Sequence, residues 1–206
     1  DSRGWNSIPL TLRFSTPAID REWFSEKYKR STTRYIMFII VDGFYADPDS
    51  VRGYALSKQF NVSGNYPGLR TQPCTNEGGY VDGIKDSFQK IINKTITHFP
   101  LDNYNTAFQY TTEESKTWIH HDAMSYAAVL YLTPNAPLDS GTAIYRHNPT
   151  GIMKHSPECP VDFNEFQLNE DDWSIVGESK NVYNRLVIYD AMYYHRSVVP
   201  GFGTDQ

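Results

Sequence analysis

The hydrophobic period changes partway along this chain, and that change limits the folds that the chain can adopt. Upstream, six apolar residues recur at steps of three, four and one, which places them on one face of a helix: Val81, Ile84, Phe88, Ile91, Ile92 and Ile96. From Asn103 onward the period is two, and short apolar segments alternate with turns rich in Gly, Pro and Asn. Helices followed by many short strands are typical of an α+β fold.

The candidate strands of the downstream half cover residues 105–111, 117–121, 126–132, 142–147, 173–176 and 185–189. Aromatic residues, which favour strands, make up 15% of the chain. This pattern favours a β-sandwich or a jelly roll, also called a double-stranded β-helix. Because 206 residues are the size of one domain, we predict a single domain over residues 1–206. Residues 103–206 would form its core, and residues 1–102 would supply N-terminal strands and supporting helices.

The upstream elements are less regular. They are candidate strands within residues 1–17 and 35–41, a helix over residues 47–59, a loop over residues 61–75 and the helix over residues 81–96, with a further short helix within residues 162–172.

Charge and composition limit the partners and the location that we expect. The net charge of −5 argues against a nucleic-acid partner. The apolar run at residues 35–41 is too short to span a bilayer, and no signal peptide opens the chain, so we expect no membrane partner. Two cysteines, Cys74 and Cys159, are a poor disulfide framework and favour a reducing compartment, from which we expect a cytoplasmic location. Nothing in the sequence indicates an oligomeric state.

The histidines carry the chemical signal of the sequence. His120 and Asp122 form a His-x-Asp pair at the end of a candidate strand, where residues two apart point to the same side and His121 points away. A third candidate ligand, His195, follows the apolar segment 184–190. Two histidines and one carboxylate form the facial triad of non-haem Fe(II) oxygenases. We therefore predict that His120, Asp122 and His195 bind one metal ion and are the catalytic residues.

The order and spacing of these segments resemble the Fe(II)/2-oxoglutarate-dependent dioxygenases, in their prolyl-4-hydroxylase-like branch. The resemblance covers roughly Asn103 to the C-terminus. It rests on these segments in order: Ala107-Phe-Gln-Tyr110, Trp118-Ile-His-His-Asp122, Ala127-Ala-Val-Leu-Tyr-Leu132, Asp139-Ser-Gly-Thr-Ala-Ile-Tyr145, Asn184-Arg-Leu-Val-Ile-Tyr-Asp190 and Tyr194-His-Arg-Ser197. The fourth segment looks like the Gly-Gly-x-Thr-x-Phe strand of that family.

The resemblance implies a jelly roll that holds Fe(II) at its mouth, with 2-oxoglutarate as cosubstrate and O₂ as oxidant. The enzyme would hydroxylate an unactivated C–H bond of an unknown small-molecule or peptide substrate and release succinate and CO₂. The carboxylate of Asp122 favours hydroxylation, because halogenating relatives have a small residue there. Tyr110 matches a family tyrosine that reaches 2-oxoglutarate, and Tyr131 and Thr142 are further candidate cofactor-binding residues; for all three, a purely structural place is the alternative.

The sequence departs from that family at one position. The family anchors the distal carboxylate of 2-oxoglutarate with Arg or Lys on the strand after the last histidine, and residues 198–206 contain no cation. We expect either that the natural chain continues past Gln206 or that Arg70, Arg146 or Arg185 substitutes. Arg70, which lies in a Gly- and Pro-rich loop, is expected to form a surface ion pair.

Two other functions remain open at this stage. The chain could be a non-catalytic jelly-roll module with a binding or structural role, in which the His-x-Asp pair is incidental. It could also be a cupin-type oxygenase that uses iron without 2-oxoglutarate.

Overall fold

A computed structural model describes residues 9–14, 37–101, 105–158, 169–199 and 201–203 of the chain. In chain order its strands and α-helices are β1 (Pro9–Phe14), β2 (Ile39–Asp42), α1 (Pro48–Leu56), β3 (Leu69–Arg70), α2 (Tyr80–Ile92), β4 (Gln109–Tyr110), β5 (Tyr126–Tyr131), β6 (Thr142–His147), β7 (Trp173–Ser179), β8 (Arg185–Asp190) and β9 (His195–Ser197). Short 3-10 turns cover Glu77–Gly79 and Glu170–Asp172.

The strands form antiparallel sheets. One sheet has the order β1-β5-β8-β2, a second has the order β7-β6-β9, and β3 pairs with β4. Helices combined with antiparallel sheets confirm the predicted α+β class. Within the described residues the sheets do not close into a barrel. No helix in these ranges is apolar over a length that would cross a membrane.

The four-stranded sheet lies between the helices and the three-stranded sheet. One face of β5 and β8 packs on α2 through Ala128, Leu130, Leu186, Ile188 and their neighbours. The opposite face packs on Ile144 of β6 through Ala127, Val129, Tyr131, Val187 and Tyr189. Because successive residues of a strand point to opposite faces, burial on both faces explains why these two strands are apolar almost throughout.

Helix α2 confirms the predicted amphipathic helix but ends earlier than the apolar pattern does. Its apolar stripe, which includes Ile84 and Phe88, is buried against the sheet. Asn93 takes a left-handed conformation (φ 52°) and terminates the helix after Ile92. Ile96 still reaches the core, with 2% of its surface exposed, from the segment beyond the helix. The predicted extension to residue 96 was therefore wrong, because the chain turns while its apolar side chains stay buried.

Several other predicted elements match, with shifted ends. The strand predicted at 142–147 is β6, and those at 126–132, 173–176 and 185–189 are β5, β7 and β8 with ends moved by one to three residues. Strand β1 lies within the predicted range 1–17, and β2 overlaps the predicted range 35–41 but ends one residue later, at Asp42. The first helix, predicted at 47–59, spans Pro48–Leu56. Of the short helix predicted within 162–172, only residues 169–172 fall in the described part of the chain, where Glu170–Asp172 form the 3-10 turn; Cys159 lies outside the described residues.

Three predictions around the cleft were wrong. The segment 105–111 forms only the two-residue strand Gln109–Tyr110, and the supposed loop 61–75 contains its partner, Leu69–Arg70. The segment 117–121 forms a single bridge, at His120, in place of a strand. The pairing does not continue to Asp122 and Tyr193, because the N–H of Asp122 donates to the carbonyl of Ala191 and the N–H of Tyr193 donates to the carbonyl of Asp190.

Candidate metal centre

Backbone pairing brings the three predicted ligands together. His120 and His195 form an antiparallel bridge in which each N–H donates to the carbonyl of the other residue, at 3.1 and 2.7 Å. Residues paired in this way have their side chains on the same side. Two residues further on, the N–H of Asp122 donates to the carbonyl of Ala191 at 2.8 Å, which fixes the carboxylate beside the two imidazoles. The predicted same-side placement of His120 and Asp122 is confirmed.

The side-chain geometry suits a shared metal ion. One candidate ligand atom from each residue can be chosen so that all three atoms lie within 4.8 Å of one another. Nε2 of His195 is 3.5 Å from Oδ2 of Asp122, and the rings of His120 and His195 have centroids 4.5 Å apart. Neighbouring ligands on an ion with bonds of ~2.1 Å are about 3 Å apart, so small side-chain movements would bring these groups into coordination.

Hydrogen bonds prepare both imidazoles as ligands. Nδ1 of His120 is 3.0 Å from the carbonyl oxygen of Trp118, and Nδ1 of His195 is 2.7 Å from that of Tyr193. A carbonyl only accepts, so each Nδ1 must donate its proton, and the lone pair is then on Nε2. Such a contact behind a ligating histidine fixes both its tautomer and its orientation. Both rings therefore present the nitrogen that a metal ion would bind.

Burial limits the solvent around two of the ligands. His195 is 4% exposed and Asp122 is 9% exposed, while His120 is half-buried. A buried carboxylate is costly without a positive partner, and a divalent ion would provide one. The donor set of two nitrogens and one oxygen suits a first-row divalent metal ion with positions left open, in contrast to a closed structural zinc site with four ligands.

The three ligands lie in the wall of a cleft. Its lining residues are Asn65, Tyr66, Pro67, Arg70, Gln109, Thr117, Trp118, His120, Asp122, Val129, Thr142, Tyr189, His195, Arg196 and Ser197. They come from the paired strands β3 and β4 with the segment before β3, from the segment before β5, and from both larger sheets. The cleft therefore opens where the three groups of strands meet.

The predicted cofactor-binding residues lie at different distances from this cleft. Thr142 lines it. Tyr131 is behind Thr142, and the two hydroxyl oxygens are 2.8 Å apart. Burial raises the pKa of Tyr131 to about 12. Tyr110 is not a lining residue, and its ring packs on that of Phe60 with the ring centroids 5.7 Å apart.

The chain matches one protein family. A sequence model with the description "Family of unknown function (DUF6445)" matches residues 29–202. The chain belongs to this family. The matched range contains all three candidate ligands and the whole cleft lining. No curated protein and no solved structure matches the chain.

Two residues of the cleft lining, Arg70 and Gln109, were placed wrongly or not identified from the sequence. Arg70 does not form the expected surface ion pair: it is 5% exposed, and its Nε and Nη2 donate to Oε1 of Gln109 at 3.0 and 2.9 Å. Gln109 precedes Tyr110, which the resemblance singled out. Side chains alternate along a strand, so only one of these neighbours can face the cleft, and that residue is Gln109.

Arg146 and Arg185, the other candidate anchors for the distal carboxylate, do not line the cleft. Arg185 pairs with Asp42 at 2.6 Å, and Arg146 is exposed on β6. Arg196 contributes to the cleft lining, but its Nη1 donates to Oε1 of Glu170 at 2.6 Å.

The remaining histidines are outside the ligand cluster. His121 stacks on His155 with ring centroids 3.9 Å apart, and burial lowers the pKa of His121. Nδ1 of His147 is 2.9 Å from the hydroxyl oxygen of Thr150. None of these three histidines belongs to the cluster of candidate ligands.

Proposed function

We propose that this protein is an Fe(II)- and 2-oxoglutarate-dependent oxygenase that hydroxylates an unactivated C–H bond. The observation that carries the proposal is the cluster of His120, Asp122 and His195 in the wall of a cleft. When bound, iron and 2-oxoglutarate would supply the oxidising chemistry, with O₂ consumed and succinate and CO₂ released. The sequence resemblance names the cosubstrate, and the donor set supports the class of metal.

The residues of the chain would hold the ion and shape its surroundings. The two imidazoles present Nε2 because their Nδ1 atoms donate to backbone carbonyls. The carboxylate of Asp122 would neutralise part of the charge of a divalent ion. Three ligands on one side of an octahedral ion leave three positions for a cosubstrate and a reactant. The aromatic walls formed by Trp118 and Tyr189 would limit the access of water to those positions.

We propose further that the two larger sheets are parts of a jelly roll. Support comes from their packing: residues on one face of β5 and β8 share a core cluster with Ile144 of β6. The two sheets therefore lie face to face, as the two sheets of a jelly roll do. In that arrangement the metal would lie near β9, at one end of the space between the sheets.

Metal binding and cosubstrate binding test the proposal in sequence. First, the metal-free protein is titrated with Mn(II) by calorimetry, and one ion per chain is expected. Next, anaerobic protein with Fe(II) is titrated with 2-oxoglutarate, and a visible charge-transfer band is expected as the oxo acid chelates the iron. Finally, O₂ is admitted, and succinate is measured with and without a panel of candidate substrates.

Matched histidine variants separate a real site from adventitious binding. His120→Ala and His195→Ala should lose the ion, because each removes one of three ligands. His147→Ala should retain it, because His147 is outside the cluster. Loss of metal in all three variants, or in none, would contradict the assignment of the ligands. Metal binding without the 2-oxoglutarate band would contradict the proposed cosubstrate and leave an oxygenase of another type or a binding module.

A further inference from the structure

A short segment outside the cleft lining contacts both of the segments that carry the candidate ligands. Residues 153–155, which we call the strap, belong to the connection between β6 and β7 and do not line the cleft. We propose that His155 of the strap is a positioning residue of the candidate metal centre, which acts through His121 to hold the ligands in their common arrangement. The proposal rests on the metal site of the proposed function and does not depend on the cosubstrate.

Backbone hydrogen bonds attach the strap to the segment that leads into His195. The N–H of His155 donates to the carbonyl of Met192 at 2.8 Å. In the opposite direction, the N–H of Tyr194 donates to the carbonyl of Met153 at 3.0 Å. Paired backbone groups of this kind fix the register of two segments, so the strap and the approach to His195 move together.

The central residue of the strap, Lys154, adds to the same attachment. Lys154 forms an antiparallel bridge with Tyr193, and its ammonium group pairs with Oδ2 of Asp190. Oδ1 of Asp190 accepts a hydrogen bond from the N–H of Met192 at 3.0 Å. The carbonyl of Tyr193 accepts from Nδ1 of His195 and thereby orients that imidazole. The strap is therefore paired with the residue whose carbonyl orients one of the candidate ligands.

A ring stack attaches the strap to the segment of the other two ligands. His121 lies between His120 and Asp122 in the chain, and its ring is nearly parallel to that of His155, with centroids 3.9 Å apart and an angle of 5° between the planes. Successive side chains of an extended segment point to opposite sides. Rotation of this segment about its own axis would therefore move the two ligands one way and His121 the other. The stack on His155 opposes that rotation.

Together these contacts connect three segments in a closed circuit. Backbone hydrogen bonds join residues 120–122 to residues 191–195, and further backbone hydrogen bonds join residues 191–195 to the strap. The stack of His121 on His155 completes the circuit. Removal of the His155 ring would open it and allow the segment that carries two of the three candidate ligands to move relative to the third.

Metal affinity and coordination geometry together test the role of His155. Metal-free wild type and variants are titrated with Mn(II) by calorimetry, and the Co(II)-loaded proteins are compared by their visible d–d absorption, which reports the coordination geometry. Loss of a group that orients a ligand commonly weakens metal binding about tenfold or more. We therefore expect His155→Ala to bind Mn(II) about tenfold more weakly and to change the Co(II) spectrum. His155→Phe keeps a flat ring for the stack on His121 and should restore both properties.

Two further variants complete the comparison. His98→Ala removes an exposed histidine that belongs neither to the ligand cluster nor to the cleft lining, so it should bind Mn(II) as the wild type does. His155→Leu keeps an apolar side chain without a planar ring. It should behave as His155→Ala does, and it takes the place of that variant if His155→Ala does not fold. Thermal melting without metal measures the stability of each variant separately from its affinity.

An affinity and a Co(II) spectrum that are altered in His155→Ala or His155→Leu and recovered in His155→Phe support the positioning role. The role is refuted if the variants without a ring keep the wild-type affinity and spectrum, even at a lower melting temperature. It is also refuted if His155→Phe is as defective as they are, because a nitrogen of His155 would then matter more than the stack. In both cases the wild type still binds Mn(II), whereas a wild type that binds no ion would refute the proposed metal site and this inference with it.

Discussion

Gly68 fixes the cleft wall, and its replacement by alanine should be costly for two separable reasons. Its φ is +70°, in the left-handed region, where an alanine costs about 1–2 kcal/mol. Its Cβ would also be 1.9 Å from the carbonyl oxygen of Tyr110, whereas ordinary contacts begin at 3.4 Å. The loop would have to move by about 1.5 Å, and overpacking of this kind costs about 1–3 kcal/mol. We therefore expect Gly68→Ala to lose about 2–5 kcal/mol of unfolding free energy.

Gly43 offers a matched control for the backbone part of this cost. Its φ is +67°, and a Cβ there would meet nothing within 4 Å. Gly43→Ala should therefore lose only the backbone contribution of about 1–2 kcal/mol. Urea unfolding of the three proteins measures both losses, with the midpoint and the slope reported separately.

The same variants connect the loop to the cleft. Gly68→Ala should displace the segment between Pro67 and Arg70, two residues of the cleft lining, whereas Gly43→Ala should leave the lining in place. Equal losses of stability in the two variants would refute the close approach of this loop to β4.

Three further predictions concern the core and its charges. Phe88→Ala should lose about 3–5 kcal/mol in urea unfolding, because this fully buried ring packs between α2 and the four-stranded sheet. Tyr131→Phe should lose about 1 kcal/mol in the same assay, because it removes the hydrogen bond with Thr142. Arg185→Met should lose at most about 1 kcal/mol at pH 7, since the pair with Asp42 is exposed. The hydrogen bond from Arg185 lowers the pKa of Asp42, so the stabilisation by this ion pair is complete above the ordinary Asp pKa of 3.8 and is lost as the pH falls below it. A difference in unfolding free energy between variant and wild type that grows in acid would contradict the assignment.

The sequence predicted the placement of His120 beside Asp122 because these residues are close together in the chain. His120 and Asp122 are two residues apart, and any extended backbone places such residues on one side. The third candidate ligand, His195, was proposed from its position after an apolar strand, and the long-range bridge to His120 brings it beside the pair. Only one extended residue pair was needed for this arrangement, so the prediction held although residues 117–121 do not form a strand.

The buried position of Arg70 was not predicted, because it depends on the register between distant segments. Arg70 lies opposite Gln109 only because two very short strands pair at one position. Nothing in the local sequence distinguishes a buried arginine from an exposed one in a Gly- and Pro-rich loop. A shift of one residue would also exchange Gln109 for Tyr110, which is the residue that the resemblance selected.

The two buried faces of β5 and β8 are a further feature that the sequence alone does not distinguish. Along β5, Ala128 and Leu130 face helix α2, while Val129 between them lines the cleft. Along β8, Ile188 faces the helix and Tyr189 lines the cleft. Both alternating sets are apolar, so the period of two indicates that both faces are buried but not which face borders the candidate metal centre. The position of α2 decides which face borders the cleft. Its apolar stripe covers one face, and the other face packs on the sheet that contains His195. The cleft is therefore specified jointly by a helix that contains none of its lining residues and by the strands that contain them.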